Sequence, residues 1–150
     1  MSVRALIIAI EEYPRIQGGF SPRLDGTLDA ARQFRQWLIH ARSVRPKDIH
    51  FCSWPCVAES THGASRQEIA DAIAQLVREG RDRTGTLFVY FAGHGFHLED
   101  IQQGTDVLAA ADFCSPETSG NACLRLDELQ LGLRRWLGSG RSEEHTSELQ

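Results

Sequence analysis

Two short runs, "VRALIIAI" at residues 3–10 and "GTLFVYFAG" at 85–93, are almost continuously apolar and rich in β-branched or aromatic side chains. A strand with one wet face alternates polar with apolar residues. A run without alternation belongs to a strand covered on both faces. "KDIHFCSW" at 47–54 reads as a third, shorter strand. Between these runs the period changes. "TLDAARQFRQWLIHA" at 27–41 sets Leu28, Ala31, Phe34, Leu38 and Ala41 on one helical stripe. Thr27 or Asp25 is placed to cap that helix, and Asp29 sits in its first turn, where the helix dipole favours negative charge. "SRQEIADAIAQLVREG" at 65–80 opens with a capping box, Ser65 and Glu68. It carries Ile69, Ala72, Ile73, Leu76 and Val77 at helical spacing and stops at Gly80. "DVLAAAD" at 106–112 reads as a short extended segment. "LDELQLGLRRWLG" at 126–138 reads as a last helix with Leu129, Leu133, Trp136 and Leu137 inward.

The order strand, helix, strand, helix, strand, loop, helix predicts an α/β fold: a mainly parallel sheet with helices on both faces, in three layers. At 150 residues the chain suits one domain. Chemistry in such sheets gathers outside the carboxyl ends of the strands. His94, in "FVYFAGHGF", follows the third strand at that edge.

Several function classes are disfavoured. A net charge of −4 supplies no basic field for nucleic acid or an anionic membrane. The apolar run Ala5 to Ile10 is closed by Glu11 and Glu12, too soon for a membrane span or a signal peptide, so the expectation is a cytoplasmic protein. The first strand exits into "EEYPRIQGG", without a G-x-G-x-x-G fingerprint, and no Walker-A motif occurs. Cys52 and Cys56, in "CSWPC", have no second pair to finish a zinc site and read as reduced thiols. No metal, nucleotide or other cofactor is indicated.

Gly93 and Gly95 strip side chains from both sides of His94, so a peptide backbone can approach the imidazole. An imidazole titrates near neutrality and can take a proton from a nucleophile and return it to a leaving group. The Gly95 amide is a candidate to help stabilise an oxyanion in the same space. The plainer alternative is a histidine that closes a glycine-rich turn by bonding a nearby carbonyl.

The set "ALIIAIEEY", "LDGTLDAARQFRQWL", "PKDIHF", "SRQEIADAIAQLV", "TLFVYFAGHG" and "LRLDELQLGL" resembles the caspase and metacaspase superfamily of cysteine peptidases, in register from about residue 3 to residue 137. The aromatic strand ending in "GHG" is its most specific piece. The resemblance implies a caspase-like fold, a peptide or protein substrate, and a Cys–His dyad. His94 would be the general base, and the amide of Gly95 part of the oxyanion hole. It also implies two candidates for the pocket that receives the residue before the scissile bond. Asp29 matches the acidic position with which metacaspase-like enzymes receive Arg or Lys. Arg23 resembles the arginine with which animal caspases receive Asp. "LDGTLDA" is closer to the metacaspase form, which favours Asp29, although that form usually reads G-C-x-N-D-A.

In caspases the histidine precedes the nucleophile by about 50 residues, which sets the expected cysteine near position 144. No cysteine follows Cys123. Cys114, in "AADFCS", imitates the nucleophile's setting but precedes the helix that should come before the catalytic strand. The last ten residues, "RSEEHTSELQ", carry no strand signal, and one codon choice for them reads as the start of a common short-read sequencing adapter. The expectation is a caspase-like domain in residues 1–140, cut before its catalytic cysteine, and a non-native tail in 141–150. The fragment would be inactive and, with an apolar sheet edge uncovered beside the third strand, poorly soluble. Its parent would be the peptidase, with room for additional downstream domains. Two alternatives stay open: a catalytically dead scaffold or sensor of the same fold, and an unrelated doubly wound binding protein in which "GHG" is accidental.

Overall fold

A computed structural model describes residues 2–80, 85–99, 104–115 and 122–137, with residues 135–137 described in their backbone alone. Three strands, β1 (Ser2–Ile10), β2 (Ile49–Trp54) and β3 (Gly85–Ala92), form a parallel sheet in the order β2-β1-β3. Ile7 of β1 lies opposite Phe51 of β2 and Tyr90 of β3.

β1 shows why its sequence lacks alternation. Ala5, Ile7 and Ala9 face one core with Leu28, Ala31 and Leu38 of α1 (Thr27–Ala41). Leu6, Ile8 and Ile10 face another with Ile69, Ala72 and Leu76 of α2 (Arg66–Glu79). All six of these β1 residues are fully buried. Each burial of an Ile or Leu contributes about 1.5–3 kcal/mol, so the central strand is the anchor of both layers. The fold is α/β with helices on both faces, as the periodicities predict.

β3 is less covered than expected. It is an outer strand of its sheet among the described residues, and Val89 is 41% exposed. On its α1 side, Tyr90 stacks on Phe34 with centroids 4.8 Å apart, and the Arg42 guanidinium lies 5.4 Å from the Phe88 ring. The continuous apolar run therefore marks a strand whose cover is partial.

A second sheet is the main departure from the expected order. β4 (Gly95–Glu99), β5 (Gly104–Ala109) and β6 (Cys123–Arg125) pair antiparallel in the order β4-β5-β6, where only "DVLAAAD" had promised an extended segment. The alternation in "GFHLE" is short and is broken by a glycine and a histidine, too little pattern to read as a strand. Val107, Ala109, Ala110 and Phe113 carry this sheet into the α2-side core. α3 (Leu126–Leu137) follows, with Leu129 and Leu133 half-buried; the side chains of Trp136 and Leu137 lie outside the described residues.

The helix ends divide. The Ser65 capping box forms as predicted, and Gly80 caps the end of α2. The α1 cap does not: neither Thr27 nor Asp25 bonds its first turn. The N-cap is Gly26 at φ +87°, whose N–H bonds the Glu11 carboxylate at 3.0 Å, while Asp25 is drawn off to Arg23. Two stripe positions also turn outward, Ala41 at the end of α1 and Val77 near the end of α2. The final segment, 141–150, lies outside the described residues.

Candidate active site

β1 and β3 are neighbours and parallel, and Ala9 lies opposite Ala92. Their carboxyl ends therefore open side by side. The chain leaving β1 supplies Glu11, Glu12 and Tyr13; the chain leaving β3 supplies Gly93 and His94. This juxtaposition builds the site.

Tyr13 turns back into the protein and is fully buried. Its hydroxyl accepts the His94 backbone N–H at 2.8 Å and donates to the Ala109 carbonyl at 3.0 Å. The Ala109 N–H in turn bonds the His94 carbonyl at 2.9 Å. Burial pushes the Tyr13 phenol well above its ordinary range, so it remains a donor. The first glycine of "GHG" now has a steric reason. A Cβ on Gly93 would lie 2.5 Å from the Tyr13 hydroxyl and 3.0 Å from the Phe91 ring.

Residues 13–24 form a loop closed at its base by Tyr13 N–H to the Pro22 carbonyl, 2.7 Å, and Leu24 N–H to the Glu11 carbonyl, 2.7 Å. Gly18 and Gly19, at φ +83° and +80°, turn the loop through a region that costs other residues about 1–2 kcal/mol. The turn delivers the Ser21 carbonyl to 2.8 Å from Nε2 of His94. A carbonyl only accepts, so Nε2 is the donor, and in the neutral ring Nδ1 then holds the lone pair. No described residue hydrogen-bonds Nδ1. Tyr13 packs on the imidazole at 4.8 Å, with Phe96 at 6.0 Å and Phe20 at 6.5 Å between ring centroids.

The plainer sequence alternative, a histidine bonded to a nearby carbonyl, is met in part: the bond exists. Its acceptor lies 73 residues away on a different strand exit, so it does not close the local turn.

The second glycine begins β4 opposite Leu108. Because the Ala109 N–H bonds the His94 carbonyl, Gly95 and Leu108 are a non-hydrogen-bonded pair of the ladder. The Gly95 N–H consequently points away from β5, on an exposed residue at the same edge as His94.

The two pocket candidates are placed differently. Arg23 lies two residues after Ser21 and is matched by carboxylates, Asp25 at 2.6 Å and Glu12 at 3.7 Å. Its hydrogen bond to Asp25 raises the guanidinium above its ordinary range. Asp29 is exposed in the first turn of α1, outside the loop that holds His94.

None of the four cysteines is in a disulfide. Burial pushes Cys52 up to about 12 and also raises Cys123. Neither has the thiolate character of a nucleophile. Cys56 is exposed beyond the end of β2, and Cys114 is half-buried, its carbonyl accepting the Gln17 N–H at 2.8 Å. Among the described residues no helix is long and apolar enough to cross a membrane, and no group of three or more His, Cys, Asp or Glu is arranged to hold a metal.

Sequence reasoning named His94 and Gly95 as candidates but not Tyr13 or Ser21, the two residues whose atoms the structure sets against His94. Tyr13 stood in plain view in "EEYP", yet nothing local distinguishes a tyrosine that returns to the core from one that faces solvent. Ser21 contributes a backbone atom, for which residue type carries no signal.

No curated protein matches the chain. The caspase-domain model of the peptidase C14 family matches residues 2–134, from the first residue of β1 into α3. Spanning both strand exits and the histidine between them, that match shows that the chain belongs to the caspase-domain family.

Proposed function

We propose that His94 is the general base of a cysteine-type endopeptidase acting on peptide or protein substrates. The observation that supports this reading is the 2.8 Å bond between Nε2 of His94 and the Ser21 carbonyl, which in the neutral ring leaves Nδ1 as the proton acceptor. Nδ1 takes the proton of a cysteine thiol, and the thiolate attacks the scissile carbonyl carbon. The carbonyl oxygen becomes an oxyanion toward which the Gly95 N–H is directed. Nδ1–H then protonates the departing amine, and water, deprotonated by the same nitrogen, hydrolyses the thioester.

The sulfur in this scheme is not one of the four cysteines. We propose that it ends the next strand of the parent protein, and that the 150 residues alone, which hold the base without that sulfur, do not cleave peptides. The surroundings of the first loop favour a basic residue before the scissile bond. Arg23 is already balanced by Asp25 and Glu12, whereas Asp29 is exposed, its charge uncommitted to any hydrogen bond among the described residues. We place the protein in the cytoplasm on its sequence character, and leave room for further domains in the parent.

The test extends the polypeptide through the downstream gene sequence and assays a peptide panel with Arg, Lys, Asp or Ala before the scissile bond. Cleavage after Arg or Lys, reduced at least about 100-fold by His94→Ala, is the expected outcome. Full activity in His94→Ala removes the base assignment. A next strand that ends without cysteine, in an inert protein, leaves the scaffold reading of the same fold. Preferential cleavage after Asp transfers the specificity role from Asp29 to Arg23.

A further inference from the structure

We infer that Tyr13 is a positioning residue for His94: its hydroxyl fixes the backbone of the histidine so that the imidazole meets the Ser21 carbonyl in one orientation. Three observations converge. The Tyr13 hydroxyl spends its acceptor on the His94 N–H and its donor on the Ala109 carbonyl, 2.8 and 3.0 Å, so it spans the turn between β3 and β4 and the strand beside it. The phenol ring lies against the imidazole at 4.8 Å, tilted by 51°. The chain at Gly93 is shaped around the hydroxyl, with no space for a Cβ.

The physical need is plain. His94 lies outside any strand, between the end of β3 and the start of β4, and its N–H is joined to the Ala109 carbonyl through the Tyr13 hydroxyl instead of by a direct ladder bond. A histidine on an untethered turn samples several backbone and χ1 states, and each moves Nε2 away from Ser21. Tyr13 removes that freedom through the backbone and the ring, without occupying either ring nitrogen. The same tyrosine begins the loop that carries Ser21, its N–H bonded to the Pro22 carbonyl. One residue thus holds both partners of the Ser21–His94 bond, the backbone of one through its side chain and the loop of the other through its main chain.

This deepens the base assignment and rests on it for its catalytic meaning, but its test reads the ring rather than peptide cleavage. Long-range proton–nitrogen NMR on the histidine-labelled chain should show His94 as a single Nε2–H tautomer at neutral ring charge, and the His94 amide should exchange slowly with deuterium. Tyr13→Phe keeps the ring and removes only the hydroxyl. It should speed exchange of that amide and give a mixture of tautomers. Leu38→Ala, on the opposite core, should lower thermal stability and leave both signals in place. The idea is overturned if Tyr13→Phe preserves the single tautomer and the slow amide, or if Leu38→Ala disturbs them equally. Should Tyr13→Phe fail to fold, the wild-type exchange rate decides: a fast-exchanging His94 amide contradicts the clamp, and a slow one supports it. Absence of peptidase activity in the extended protein alongside the expected NMR result would remove the enzyme reading and leave the clamp standing.

Discussion

The Ser21 carbonyl and the His94 imidazole, 73 residues apart in the chain, meet at 2.8 Å because the strands that precede them are adjacent and parallel. The bond makes a surface loop, 13–24, part of the candidate site. The stiffness of that loop therefore bears on the state of the imidazole.

The loop's turn should respond to residues that dislike positive φ. Gly19, at φ +80°, has open space where a Cβ would stand, with no atom within 4 Å, so a substitution there tests backbone conformation without a steric clash. Gly19→Ala should lower stability by about 1–2 kcal/mol in urea unfolding and weaken the Ser21–His94 bond, whereas Gly19→Asn should cost less, since Asn tolerates the left-handed region. Equal costs for the two would point to a lost contact instead.

Thiol chemistry should follow burial. Iodoacetamide at about pH 8, close to the ordinary thiol value, should label exposed Cys56 in the folded protein first. Cys52, buried and pushed up to about 12, and Cys123, raised by burial and by the nearby Asp112 charge, should resist until the chain is unfolded. Mass spectrometry of the digested protein reads the order, and early labelling of Cys52 would contradict it.

Below the sheet, Glu79 at the end of α2 binds Arg4 of β1 and His50 of β2, each at 3.0 Å. Burial opposes its ionisation, but hydrogen bonds from Gln75 and His50 and the Arg4 charge outweigh it and hold the carboxyl below its ordinary 4.5. A depressed folded value stabilises fully above 4.5 and is lost as pH falls through it. The melting temperature should therefore drop under acid conditions, and less steeply in Glu79→Gln. Near neutral pH that variant should lose about 1–3 kcal/mol, because it weakens the bonds to two largely buried partners.

The capping box at the start of α2 gives an independent measure of helix docking. Ser65 Oγ accepts the Glu68 N–H at 3.2 Å, and Glu68 returns a bond to the Ser65 N–H at 3.3 Å. Ser65→Ala should cost about 1 kcal/mol in urea unfolding without altering the His94 signals, since α2 packs beneath the sheet. No loss of stability would mean that the cap is replaced by solvent.

By itself the sequence determined the layers. Ala5 to Ile10 read as a strand enclosed on both faces, the 27–41 and 65–80 segments as helices burying one stripe each, and "GHG" as lying at the carboxyl edge, because local periodicity follows burial; the same kind of apolar run in β3 was covered only in part. What the tertiary structure decided was partnership. Gly26 replaced Asp25 and Thr27 as the α1 cap once Asp25 found Arg23, and the small antiparallel sheet formed from segments whose pattern was too short to show. Tyr13 and the Ser21 carbonyl joined His94 for the same reason: contacts between distant strand exits depend on strand order and loop closure, and neither leaves a period in the chain.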